Sequence, residues 1–174
     1  MHENSGMNGV DVLTDGFARV AEAVHGAARG LDLAALHHRP DEQANSIAWL
    51  LWHLTRVQDD HVSDVAGVEQ AWEQGWADRF ALPLPPGDTG FGHTTEDVDA
   101  VRVDSAELLT GYHDAVYENT LSYLGGLDDD DLDVVIDESW TPPVTLGVRL
   151  VSVVADDLQH AGQAAYVRGL SLRH

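Results

Sequence analysis

The sequence predicts an all-α fold, a four-helix bundle with long embellished connections, and three observations carry that reading. Four segments place apolar residues at helical spacing, each bounded by a capping residue, a glycine or a proline. Nothing alternates as a sheet would: Val134-Val135-Ile136 reads as one short extended piece, and one strand cannot make a sheet. The chain of 174 residues, 44% of them apolar, is the size of one domain with a real core, so residues 1–174 read as a single bundle.

The first helix runs from Asp11 to Arg29, with Val12, Leu13, Phe17, Val20, Val24 and Ala28 inward and Gly30 to end it. Leu31 to Ala44 is a connection. Asn45 or Ser46 caps the second helix, which carries Ile47, Leu50, Leu51, Leu54, Val57 and Val65 and stops at Gly67. Asp104 or Ser105 caps the third, which runs to Leu124 with Leu108, Leu109, Tyr112, Val116, Thr120 and Tyr123 inward; Gly125-Gly126 stops it. The fourth begins near Thr145, after Pro142-Pro143, and ends at Gly169, with Leu146, Leu150, Val153, Val154 and Val167 as its stripe. Two long connections remain, Gly67 to Val103 and Leu127 to Val144. Segments of that length without periodicity are uncommon unless they serve a function.

Composition excludes several function classes. A net charge of −21, from 30 acidic and nine basic residues, repels phosphate backbones and anionic membranes, so neither nucleic acid nor membrane is an expected partner. There is no cysteine, which removes disulfides, a cysteine nucleophile and thiolate ligation. The start, Met1 to Gly9, lacks the apolar centre of a signal peptide, and no run reaches the ~18 apolar residues of a membrane span. These readings lead to the expectation of a cytoplasmic protein. All nine basic residues are arginine, and the abundance of Ala, Asp and Val with no lysine suggests a high-GC source.

The functional clue is a histidine inside the apolar second helix, answered about a hundred residues later by a carboxylate and a histidine one turn apart. Trp49, His53, Val57 and Asp60 share one face of a helix turning about 100° per residue, so His53 points into the bundle. Asp156 and His160 are i and i+4 and share a face. A buried carboxylate needs a partner, and Arg149 two turns earlier is the purely structural candidate. Asp157 is the alternative to Asp156, but it lies i+3 from His160. Two imidazoles and one carboxylate on facing helices make a metal set with open positions, suited to zinc, nickel, manganese or iron(II). Gln163 and Asp60 are candidates to orient the ligands. His61 is offset from His53 and reads as a rim group. Trp49, Trp72, Trp76 and His93 are candidates for a substrate pocket. Trp72 and Trp76, at i and i+4, would form one face over the site or equally cover the bundle end as core. His93, in the turn Gly90-Phe91-Gly92-His93, either reaches the pocket or stays solvated.

These residues resemble a family. Ser46-Ile47-Ala48-Trp49-Leu50-Leu51-Trp52-His53-Leu54, followed by Arg56, is similar to the second helix of the DinB-like superfamily of bacterial metal-binding bundles. His160-x-Gly162-Gln163 resembles its fourth-helix motif, and the likeness covers nearly the whole chain. Members include mycothiol-dependent maleylpyruvate isomerase, the bacillithiol transferases and the mycothiol-dependent S-transferases. The resemblance implies one divalent metal, usually zinc or nickel, held at one end of the bundle by the residues that are here His53, Asp156 and His160. Many relatives carry His where this chain has Asp156; the maleylpyruvate isomerase type carries a carboxylate. The likeness also implies a homodimer.

A low-molecular-weight thiol bound to such a metal loses its proton. Its sulfur can then attack a small electrophile, giving conjugation or isomerisation, so a chain without cysteine can do thiol chemistry with sulfur supplied by a cosubstrate. A high-GC source makes mycothiol the natural thiol. Two other readings stay open: a metal-dependent hydrolase with water as nucleophile, and a non-catalytic stress-response bundle that binds a metal or ligand.

Overall fold

The computed structural model describes residues 6–173, so Met1 to Ser5 of the polar N-terminus lie outside it. Its helices are α1 (Gly9–Ala28), α2 (Leu33–Leu36), α3 (Ile47–Ala66), α4 (Ala77–Phe80), α5 (Thr95–Ala100), α6 (Ala106–Leu124) and α7 (Leu146–Ser171). The long ones, α1, α3, α6 and α7, are the four helices the periodicity predicts. Each opens on a side-chain cap that satisfies a free backbone N–H: Asn8 for α1, Ser46 for α3, Ser105 for α6 and Thr145 for α7. Asn8 and Asp11 form a reciprocal capping box, which starts α1 two residues earlier than expected. The shift brings Val10 inward and leaves Val12 on the exposed face, a correction to the predicted stripe. Gly67, at φ +66°, closes α3 in the left-handed conformation that glycine adopts without strain.

The contacts fix the topology. Gly16 of α1 faces Val154 of α7, and Arg168 Nε donates to the Gly26 carbonyl, so α1 and α7 run parallel. Arg56 meets Tyr112 and Tyr123 meets Val65, so α3 and α6 run parallel. His53 meets His160 and His61 meets Arg149, so α3 and α7 run antiparallel. The order is therefore up-down-down-up, with α1 and α3 each packed on both α6 and α7. From Ile47 to Arg56, α3 is buried without interruption. A helix apolar all round is an interior helix, and this one carries a buried histidine and a buried arginine into the centre of the molecule.

Two features depart from the sequence reading. The Val134-Val135-Ile136 run finds a partner: β1 (Val135–Asp137) pairs antiparallel with β2 (Val144–Thr145), just before α7. This two-stranded ribbon leaves Val134, Val135 and Ile136 exposed. The long 67–103 connection carries α4 and α5 and lies over α3 because buried polar side chains hold it there. The Asp59 carboxylate, 1% exposed, accepts from the backbone N–H of Ala71 at 3.0 Å and Trp72 at 2.8 Å and from the Tyr112 hydroxyl at 2.7 Å. Arg56, also 1% exposed, donates to the Asp88 carbonyl at 3.0 Å, Gln70 Oε1 at 2.8 Å and Tyr112 at 3.2 Å. An ion pair this deep is stable only when its remaining hydrogen-bonding capacity is filled, and here the loop backbone fills it. Among the described residues no helix is long and apolar enough to cross a membrane.

Candidate metal centre

The antiparallel contact of α3 with α7 brings His53, Asp156 and His160 together. One candidate ligand atom from each lies within 4.8 Å of the other two. The two imidazoles meet edge to face with ring centroids 4.7 Å apart. Trp49 stacks on His53 at 4.6 Å and backs the site from the apolar side. A cavity of about 430 Å³ opens onto the cluster, lined by His53, Val57, Asp60, Thr89, Phe91 and Asp156 among others.

The hydrogen bonds assign the ring nitrogens. His53 Nδ1 is 2.5 Å from the Thr89 carbonyl, which can only accept, so Nδ1 carries the proton and Nε2 keeps its lone pair. His160 Nδ1 donates to the Asp156 carbonyl at 2.9 Å, again freeing Nε2. Asp156 Oδ2 is buried without a hydrogen-bond partner; its approach to His160 Nδ1 is a looser ionic contact at 3.4 Å. Burial pushes the His53 pKa down, which favours the neutral imidazole a metal requires. That contact with His160 holds Asp156 below the ordinary carboxylate range and raises His160. Two free imidazole lone pairs beside an orphaned carboxylate oxygen are a donor set that fits a divalent cation.

The remaining candidates scatter. Asp157 is fully buried on the core side of α7, with neither oxygen partnered, so the i+4 carboxylate and not its neighbour joins the cluster. Arg149 turns away from Asp156 to Asp137, at 3.6 Å, and to His61, at 3.3 Å. His61 lines the cavity, as a rim group would. Asp60 lines it too, but its carboxylate accepts from Gln70 at 2.9 Å rather than from an imidazole.

Gln163 is exposed in an outer groove beside Gly162 and Tyr166 and makes no hydrogen bond to the cluster. Trp72 and Trp76 do not cover the site. Both pack on Tyr112, and Trp72 also on Phe80, with its indole N–H donating to the Pro86 carbonyl at 3.0 Å. The helical spacing that would place them on one face is broken by Gly75, at φ +106°. His93 is neither solvated nor in the pocket. Its side chain is 6% exposed, accepts from Trp49 Nε1 at 3.0 Å and reaches Asp88 at 2.9 Å.

Sequence reasoning missed Thr89 and Gly90, which pack against the back of His53, Asp88, which ties their turn together, and the Arg56–Asp59–Tyr112 network. The available signal was two charged residues, Arg56 and Asp59, in or just after the apolar Ile47–Leu54 run, each requiring a partner from elsewhere.

Comparison with known proteins adds a family. A family model described as Mycothiol-S-transferase matches residues 12–171. A crystal structure described as the conserved protein of a locus from Enterococcus faecalis is similar over 97% of this chain and 100% of that one, at 34% identity and a TM-score of 0.89. No curated protein matches the chain.

Proposed function

Because this chain belongs to the mycothiol-S-transferase family, we propose that it is a metal-dependent enzyme that transfers a low-molecular-weight thiol, with mycothiol the first candidate, to a small electrophile. His53, Asp156 and His160 are the residues that would hold one divalent ion, zinc or nickel before iron or manganese. The observation that carries this reading is that His53, Asp156 and His160 each offer a candidate ligand atom within 4.8 Å of the other two, with both imidazoles held at Nδ1 by backbone carbonyls. The ion would supply the Lewis acidity that removes the proton from a coordinated thiol.

The protein does the rest. Three side-chain ligands leave coordination positions free for a cosubstrate. Val57, Val153 and Phe91 give the cavity an apolar part that would limit water around a bound sulfur, and Trp49 backs His53 from behind. Asp60 and His61 at the rim give the cavity polar groups for the parts of thiol and electrophile that extend outward.

The test is metal content and turnover on the same untagged preparation. About one equivalent of zinc or nickel is expected by mass spectrometry, with conjugation of monochlorobimane that requires both the metal and added mycothiol. His53→Ala and His160→Ala should lose metal and turnover together while keeping their helical circular dichroism. Conjugation that continues in the metal-stripped protein would overturn the proposal, as would a wild type that cannot be loaded.

A further inference from the structure

We infer that the Asp88–His93 loop is a clamp that sets the tautomer and orientation of His53, and that Arg56 is the positioning residue that locks this clamp to α3. The inference rests on the metal site proposed above for its consequence, but the clamp itself is a property of the metal-free protein.

The loop meets His53 through backbone alone. The Thr89 carbonyl takes the Nδ1 proton, and Gly90 presses its α-carbon against the ring. A Cβ built on Gly90 would lie 2.7 Å from His53 Nδ1, 3.1 Å from Trp52 and 3.2 Å from Trp49. Only glycine fits there, and its φ of +93° is also one that favours glycine. A backbone acceptor placed this way cannot rotate away as a side-chain acceptor could, so its geometry depends on how the loop is held.

Four bonds hold it. Arg56 Nε donates to the Asp88 carbonyl at 3.0 Å, one residue before the clamp. The Asp88 carboxylate accepts from Gly90 N at 2.8 Å and from His93 Nε2 at 2.9 Å, closing the turn on itself. His93 Nδ1 in turn accepts from the Trp49 indole, which stacks on His53. Arg56 and His53 are three residues apart on α3, so the same helix face carries the ligand and the anchor of the loop that orients it. Outer partners of this kind fix the tautomer and direction of a ligating histidine. Phe91 and Thr89 also line the cavity, so one loop builds both the back of the ligand and the lip of the pocket.

Gly92 provides the control. It too has positive φ, +74°, but a Cβ there meets nothing within 4 Å. Gly90→Ala and Gly92→Ala therefore share a positive-φ backbone and differ in the collision with His53 and the two indoles beside it, of which the contact with His53 is the shortest. Two readouts on the full chain separate the claims. In metal-free protein, long-range ¹⁵N–¹H imidazole spectra should show His53 of wild type and Gly92→Ala protonated on Nδ1 alone, and Gly90→Ala with a mixed tautomer. In zinc titrations, Gly90→Ala should bind about 10–100-fold more weakly than wild type and Gly92→Ala within about twofold.

Arg56→Lys keeps the charge beside Asp59 and drops the bond to the Asp88 carbonyl. It should move both readouts in the Gly90→Ala direction, by about tenfold in affinity, and it carries the test if Gly90→Ala does not fold. Equal affinity loss in both glycine variants, or a wild-type His53 protonated on Nε2, overturns the clamp. A wild type without a saturable zinc site defeats the proposed function instead, and the tautomer spectra then decide the clamp by themselves.

Discussion

Two buried imidazoles of the bundle, His53 and His113, lie in different regions and share little beyond their burial and its effect on their basicity. His53, on the α3–α7 seam, has one nitrogen tied to the Thr89 carbonyl and the other free beside Asp156 and His160, at the end of an open cavity. His113, on α6, is 0% exposed, stacks on Tyr117 and has no hydrogen-bond partner at either nitrogen. Burial lowers both pKa values. The α6 site shows that burial and a depressed pKa do not by themselves make a centre. The α3–α7 seam adds convergence, with a second imidazole, a carboxylate left unsatisfied, and a way in.

The adjacent carboxylates of α7 repeat that contrast one residue apart, and exchanging each for its amide should produce the largest divergence. Asp156→Asn removes a proposed ligand and should weaken zinc binding by more than the roughly 10–100-fold typical of an outer partner. Asp157→Asn should leave zinc affinity unchanged and stabilise the metal-free protein. Burial pushes Asp157 well above the ordinary carboxylate range, and Asp156 adds to the rise. A raised carboxyl pKa means the folded state holds the proton after the unfolded state has released it. Stability is then lost as pH rises above the unfolded value of 3.8 towards the folded one. The gain in Asp157→Asn should therefore be absent near pH 3 and present at pH 7, at about 1.4 kcal/mol for each tenfold displacement of the ionisation equilibrium. Urea melts at the two pH values measure it. A zinc defect in Asp157→Asn equal to that of Asp156→Asn would erase the distinction between the two faces.

His113 carries the opposite sign. Its pKa falls from 6.5 to about 4 through burial; Asp114 opposes the fall and His25 adds to it. The unfolded chain takes up a proton at this histidine before the folded one does. Stability is thus complete above pH 6.5 and declines as pH falls towards 4, by on the order of 3 kcal/mol. In His113→Phe that acid limb should flatten between pH 6.5 and 4, with zinc binding at pH 7 unaltered. An unchanged limb would mean that burial of His113 is not what makes the fold acid-sensitive.

Much of this contrast was legible in the chain. Helical periodicity and capping residues gave the four bundle helices to within a few residues, because each apolar stripe is also a real core face. The His53, Asp156 and His160 grouping followed from spacing plus the expectation that helices two and four pack together. What spacing could not give was the loop. Spacing alone makes Trp72 and Trp76 a helical pair, but Gly75 breaks the turn and Asp59 pins Trp72 into the core. The Thr89 acceptor is a backbone atom and leaves no mark on residue type. Gly90 leaves only an ambiguous one, since a turn glycine and a glycine pressed on an imidazole look alike until the imidazole is in place.

The smallest effect sharpens the comparison within α7 itself. Gln163 follows His160 by three residues, a spacing at which side chains on a helix can share a face, and for that reason reads as a ligand-orienting group. In the structure it points out of the seam, into a largely apolar groove shared with Pro40, Gly162 and Tyr166, while Ala161 and Ala164 take the inward positions. The roles assigned to it by spacing are filled by backbone: the Thr89 carbonyl for His53 and the Asp156 carbonyl for His160. Gln163→Ala should therefore change zinc affinity by less than about twofold, and surface substitution should keep stability within about 0.5 kcal/mol. A tenfold loss of zinc in a competition titration would mean that Gln163 reaches an imidazole in solution. It would also mean that α7 rotates enough to exchange its outer face for its inner one, and the separation of the inert from the reactive side of this helix would then fail.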